Sequence, residues 1–384
     1  IQGESRYNTI IDKQNLGNDA VFIGANNVVF KGFTVANARC FKRIIWNQAG
    51  IEIISSNVTI QDNIIIDNRL GILSHSIAYN LTIMDNLFYS DGFFPGCYIP
   101  YSDYIPLESL NNTVINNSVN GKPLYYIQNE KNIDIRNDAG QVILVNCTNV
   151  TIKNLYLKNV DFPISLYHSY NCTIENSTTV DSDGELILFF SENNTIRNNN
   201  IINAFHGICN DIGSKNNIVS NNEIIDSLQG ISVLASCSGN KIYGNKIKNT
   251  EYGLTITSFN KNMPSHDNTV DDNVFSNCEI AITLTITYDN LRYYTYNNTI
   301  SNNTFYKNKY GIYIISSEGN VIKNNVFKRN LIPAFFIGCK KNYWYHNYWN
   351  RPRILPKPIF GTRKIGIIGI PWINFDLNPI KTFQ

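Results

Sequence analysis

The chain has 384 residues, with 32 Lys and Arg against 30 Asp and Glu, a net charge of +2, and only 16% charged residues. That balance offers no basic patch for nucleic acid and no electrostatic hold on a membrane, and no apolar run reaches the ~18 residues of a membrane helix. Hydrophobic content of 43% suffices for a core, and asparagine fills polar places that Lys, Glu and Arg usually take.

The chain opens at IQGESRYNTIID without Met and already in repeat-like sequence, which predicts a natural N-terminus upstream and an N-terminal cap partly missing. A nine-residue pattern then starts at Asn26, Asn57, Asn80 and Asn111. It recurs at Asn149, Asn171, Asn193, Asn216, Gly239, Asp267, Asn297, Gly319 and Lys341. Weaker copies sit at NIDIRN (132–137) and YNTIID (7–12). Its fourth position is aliphatic, as in Val29, Ile60, Ile196, Ile242 and Ile300, until Trp344 takes the last copy. Its seventh is mostly Asn, as in Asn63, Asn199, Asn245, Asn303 and Asn347. A second alternating segment follows each copy, such as GISVLAS (230–236), GLTITS (253–258), AITLTI (281–286) and GIYIISS (311–317). Small residues precede apolar ones spaced by two, which is strand periodicity, and no sustained 3.6-residue period occurs.

A unit of about 22 residues with two or three short strands is one coil of a parallel β-helix. The repeats predict 13–15 coils, and at ~4.8 Å per coil a rod of roughly 60–70 Å. Asparagine tolerates the left-handed backbone of a coil corner. Stacked in register, its amide both donates and accepts, which predicts an asparagine ladder.

NNTISNNTF (297–305), NNTIRNNNI (193–201) and GIYIISSEGN (311–320) resemble the right-handed parallel β-helix repeats of the NosD-like, or CASH-type, family. The C-terminal NYWYHNYWN (342–350) resembles the element that closes such arrays. The resemblance spans residues 1–350 and implies an all-β, right-handed parallel β-helix. The group holds surface proteins, polysaccharide-active enzymes, epimerases and a copper-delivery factor, so the fold does not choose among functions.

Two domains are expected: the repeat over 1–350 and a proline-rich cap over 351–384, with Trp344, Trp349 and Trp372 closing the core. Four segments exceed a coil: 38–50, 90–110, 257–267 and 287–297. The last two leave the same corner of consecutive coils, and loops on a rigid scaffold carry function. They make His266, Arg292, Tyr293, Tyr294 and Tyr296, with Met263 nearby, the ligand-binding candidates. Carboxylate candidates for catalysis are Asp181, Asp183 and Glu185 in DSDGE, and Asp271 with Asp272, because hydrolysis of a glycoside needs two carboxylates across the bond. Asp181 and Asp183 share a face if they sit at one corner.

His75, His168, His206, His266 and His346 are scattered and Met is scarce, so no metal site and no cofactor is expected, with copper binding a minor alternative. The eight cysteines, Cys40, Cys97, Cys147, Cys172, Cys209, Cys237, Cys278 and Cys339, form no C-x-x-C pair and read as buried small hydrophobes. Disulfides are the alternative, with Cys40 and Cys97 the pair to expect. Sequons at Asn57, Asn80, Asn111, Asn116, Asn146, Asn149, Asn171, Asn176, Asn193, Asn297 and Asn302 are the glycosylation candidates of an exported chain.

Long regular coils without a convergent catalytic set lead to a non-enzymatic extracellular or cell-surface protein, structural or carbohydrate-binding. Its expected partners are a polysaccharide or cell-surface glycan, or further copies in a filament or surface layer. The other class left open is a lyase, hydrolase or epimerase acting on polysaccharide.

Overall fold

The computed structural model describes residues 1–39, 48–97, 104–184, 186–287, 295–365 and 368–380. These form a right-handed parallel β-helix. Its residues group into two compact units: residues 1–169 with 177–186, and residues 170–176 with 187–384.

In the C-terminal unit a typical coil has three short strands, such as Ile218–Ser220, Glu223–Ile225 and Gln229–Leu234. Each pairs in parallel with its counterpart one coil on: Ile218 with Lys241, Glu223 with Lys246, Gln229 with Tyr252. Register is fixed because inward side chains must meet their own kind. Val219, Ile242, Val270, Ile300 and Ile322 stack in one fully buried column and end on Trp344. In a second column, the rings of Phe275, Phe305, Phe327 and Trp349 stack at 5.5, 4.7 and 4.4 Å.

The two tasks expected of one asparagine are divided between neighbours. The left-handed corner belongs to the sixth position of the repeat, as in Asn221, Asp272, Asn302 and Asn324, with φ of 51–56°. The seventh position points inward and is buried. Asn199, Asn222, Asn245, Asn273, Asn303, Asn325 and Asn347 form one row in which each amide donates to the next Oδ1 at 2.9–3.1 Å. The same oxygen accepts the backbone N–H of the preceding rung. A second row, from Asn240 through Asn268, Asn298 and Asn320 to Asn342, repeats this. Buried corners of a coil expose backbone groups that no strand partner can reach, and these amides satisfy them.

The N-terminal unit is built alike, with an Asn63–Asn86–Asn117 row. NIDIRN supplies the strand Asp134–Arg136, which pairs with Thr151–Lys153 in the expected column. YNTIID does not: Ile10–Asp12 pairs with Thr34–Ala36, a second-strand column of the coil. The regular winding breaks at Ser118–Val119, which turns back antiparallel on Lys122–Gln128. Asn120 and Gly121 between them have φ of 50° and 79°. Asn-Gly is the residue pair that such a two-residue turn demands.

The C-terminal segment forms an antiparallel hairpin, Lys357–Ile365 with Ile368–Asp376. It pairs with the coil before it at two points, Gly361 beside Phe336 and Asp376 beside Trp344. Asp376 ends the asparagine row. Its Oδ2 accepts from Asn347 N, Asn347 Nδ2 and Trp349 Nε1 at 2.9–3.1 Å. Trp344 and Trp349 are buried as expected, but Trp372, the cross-strand partner of Gly361, is 42% exposed. Cys147, Cys172, Cys209, Cys237, Cys278 and Cys339 are buried, and Cys40 lies outside the described residues.

Candidate functional site

The N-terminal unit holds two clusters of titratable groups. Val21–Ile23, Ala49–Ile53, Leu70–His75 and Phe93–Cys97 form one sheet. Alternation turns Ile51, Ile53 and Ile72 into the core and leaves Glu52, Leu73 and His75 on the other face. His75 Nε2 meets Glu52 Oε1 at 2.6 Å. Asp19 completes the chain, hydrogen-bonded to Glu52 and accepting from Ala49 N at 2.8 Å. Burial and the bond to Glu52 raise the Asp19 carboxyl to about 6, whereas the bond from His75 holds Glu52 below its ordinary value. Of the two carboxyls, Asp19 is therefore the one that takes up a proton first as pH falls.

The second cluster is buried throughout. Asp161 Oδ2 accepts from Gly71 N and Gly92 N at 2.6 and 2.9 Å. Asp91 accepts from Asn68 N and Nδ2, taking the place of an asparagine rung. Burial raises Asp91 to about 7, and burial together with the Asp91 charge lifts Asp161 well above the carboxylate range. Arg39 is the nearby cation, and its guanidinium holds Asp183 at 2.6 Å.

Asp181 and Asp183 are not brought together: Asp181 faces Lys158 at 3.5 Å, and Asp183 faces Arg39. Gly184 of the same DSDG run explains its small residue, because a Cβ there would stand 1.8 Å from Asp161 O. Glu185 lies outside the described residues.

In the C-terminal unit, Asp271 accepts from Ser301 Oγ and Asn302 Nδ2 at 2.6 and 2.7 Å, so it organises the next corner. Asp272 occupies a left-handed corner itself. Met263 is buried. Arg292, Tyr293 and Tyr294 lie outside the described residues. His266 and Tyr296 come together: they bridge in parallel, and their rings stack at 4.9 Å with an interplanar angle of 0°. His266 Nδ1 also meets Asp267 Oδ2 at 2.7 Å.

This pair is the centre of a longer surface column that spacing alone did not reveal. Tyr170, Glu192, Lys215, Ser238, His266, Tyr296, Glu318 and Lys340 pair rung to rung, and all of them are half-buried or exposed. Their side chains repeat at the coil pitch of ~4.8 Å. The two central rings face each other, so the column offers ring edges, hydroxyls, amines and carboxylates, not an open ring face.

The sequon asparagines are exposed, except half-buried Asn146, and most take the left-handed corner. At the cap, an apolar groove of about 500 Å³ is lined by Phe335, Phe360, Gly361, Pro371, Trp372 and Ile373. Among the described residues, no three His, Cys, Asp or Glu side chains are placed to share one metal ion.

A family model described as periplasmic copper-binding protein (NosD) matches residues 96–290 and 263–361. No curated protein matches the chain. Among solved structures, the chain is similar to a hyperthermoactive exopolygalacturonase from Thermotoga maritima, at 13% identity and a TM-score of 0.42 over 86% of this chain and 75% of that one. It is similar to an alginate lyase from Paenibacillus sp. str. FPU-7 at 14% identity and a TM-score of 0.40, covering 58% and 88%. A third is the catalytic unit of a thermostable GH87 alpha-1,3-glucanase from Streptomyces thermodiastaticus strain HF3-3, at 11% identity and a TM-score of 0.34, covering 75% and 58%.

Proposed function

The chain belongs to the NosD family, and from that premise we propose that it is an exported β-helix scaffold that binds an uncharged glycan along the surface column from Tyr170 to Lys340. The observation that supports this is the column itself. Its groups repeat at ~4.8 Å, close to the length of one sugar unit, so successive rungs can hydrogen-bond successive hydroxyls. Glu192 and Glu318 balance Lys215 and Lys340, which favours a neutral polymer over a uronate. His266 and Tyr296 are already stacked on each other, which lowers the ordering needed on binding.

Copper enters only through the family's description, and the donors do not fit it. The best-placed imidazole, His75, has its Nε2 on Glu52, and its Nδ1 is buried without a partner.

Affinity electrophoresis in neutral polysaccharides, backed by a glycan array, tests the reading. Retention should fall about tenfold in a His266→Ala, Tyr296→Ala double variant, which removes two or three hydrogen bonds of about 1 kcal/mol or less each. No retention by any neutral glycan, or retention unchanged in the variant, would reject it.

One observation favours a second reading, a polysaccharide-active enzyme: the hydrogen-bonded chain Asp19–Glu52–His75 on a sheet face. Its carboxyls touch, whereas glycoside hydrolysis separates them by about 5 Å or more, so proton abstraction is the chemistry it would suit. Turnover of any polysaccharide that is abolished by Glu52→Gln would displace the non-enzymatic proposal.

A further inference from the structure

The even charge of the whole chain conceals a local imbalance. Residues 351–384 contain Arg351, Arg353, Lys357, Arg363, Lys364 and Lys381, and Asp376 as their single acid. Asp376 is buried against Asn347 and Trp349, so no carboxylate of this segment faces outward. The remainder of the chain is slightly acidic. The even charge that argued against an electrostatic hold on a membrane therefore does not describe this segment.

The same segment is apolar where it should be wet. Ile354 is 83% exposed, Leu355 76%, Phe360 56%, Phe375 47% and Leu377 65%, besides Trp372. The hairpin strands have nine residues each, roughly 30 Å at the antiparallel rise. Register pairing ties them to the coil only at Gly361 and Asp376, and Thr362 adds bonds to Gly338 N. Among the described residues, Arg363–Ile365 pair with Ile368–Ile370 and with no strand of the coil. A free two-stranded hairpin is marginal in water, and an apolar one needs a partner.

We propose that this hairpin is a foot that settles into the interfacial layer of an anionic lipid bilayer. Three features select that occupant. Arg363 lies over the Trp372 ring at 5.1 Å; an aromatic ring with an attached cation suits the boundary between acyl chains and headgroups. The sequence over 365–370 adds Ile365, Ile367, Ile368 and Ile370 without an acid. Burial and the nearby Arg353 lower Lys357 from its ordinary value, so the cations crowd one another with no acid to relieve them. An anionic surface relieves that crowding. A second copy of the same foot would aggravate it, which disfavours self-pairing here.

The test is flotation of the full chain with vesicles of phosphatidylcholine alone or mixed with phosphatidylglycerol. Binding is expected to the mixed vesicles and to weaken with salt. Arg363→Gln and Lys357→Gln should each lower it on the order of fivefold. A Trp372→Ser, Phe360→Ser double variant should abolish it. Trp372→Phe should keep binding and lose the fluorescence quenching by brominated acyl chains. Trp372 and Phe360 are exposed and Lys357 and Arg363 half-buried, so thermal melts of each variant against the parent separate lost binding from lost folding. Three results would overturn the proposal: the parent failing to float with anionic vesicles at low salt, binding that survives the double variant, or a dimer in light scattering without vesicle binding. The last would assign the foot to a second copy. None of them touches the glycan column, whose test stands separately.

Discussion

Replacing Asn303 by Ala tests what holds the coils together. Asn303 is fully buried. Its Oδ1 accepts from Asn273 N and Asn273 Nδ2 at 2.9 and 3.0 Å, and its Nδ2 donates to Val270 O, Ser301 O and Asn325 Oδ1. Several partners keep a second bond. Ser301 O still accepts from Asp272 N, and Asn325 Oδ1 still accepts from Asn303 N. Asn273 N–H is stranded, at about 1–3 kcal/mol for one buried group, and two further lost bonds add roughly 1 kcal/mol each. The expected loss is about 3–5 kcal/mol. Asn303→Asp keeps the bonds from Asn273 but turns an anion toward Val270 O and Ser301 O, so it should be at least as damaging at neutral pH. Burial raises the introduced carboxyl's pKa, so its stability is fully present below the unfolded value and is lost as pH rises through the folded one. Acid should therefore rescue it in part. Urea unfolding, with hydrogen exchange on peptides covering 268–305, reads both effects. Asn303→Ala within about 0.5 kcal/mol of the parent, a change typical of an inert surface site, would refute the structural role given to the row. So would Asn303→Asp being as stable at pH 7 as at pH 4.

Three further outcomes are expected. Asp91 is raised to about 7 by burial, so its contribution is present below the unfolded value near 4 and is lost as pH rises toward 7; Asp91→Asn should remove that slope and stabilise the protein at pH 8 by on the order of 1–3 kcal/mol, and a lowered urea midpoint there would contradict it. A Cβ at Gly230 would stand 2.3 Å from Gly253 O, so Gly230→Val should cost about 1–3 kcal/mol by overpacking, measured as a drop in melting temperature. Chain secreted from a glycosylating host should carry glycan at exposed Asn116 and Asn193 but not at half-buried Asn146, whose Nδ2 donates to Asn129 Oδ1 at 2.7 Å, as peptide mass spectrometry would reveal.

The repeat was legible because a solenoid coil touches only the coils next to it, so one period of sequence carries one period of contacts. Ile300 and Phe305 could be placed in the core from NNTISNNTF alone, and both are fully buried. What the pattern hid was the division of labour between Asn302 and Asn303, since both are Asn and only the backbone separates corner from rung. The Asn120–Gly121 turn carried a recognisable signal that the strong period masked.

Composition and period thus determined the fold, its core columns and the place of the corners, because these depend on neighbours one coil away. The sites depend on which residues the windings bring side by side. Asp19, Glu52 and His75 meet across three coils of unequal length, and Arg39 meets Asp183 across 144 residues. No local pattern records such meetings. Nor did it record that Trp372 would be exposed, because a terminal hairpin has no next coil to cover its side chains. Only the tertiary structure decided these, through register, winding and the geometry of the last coil.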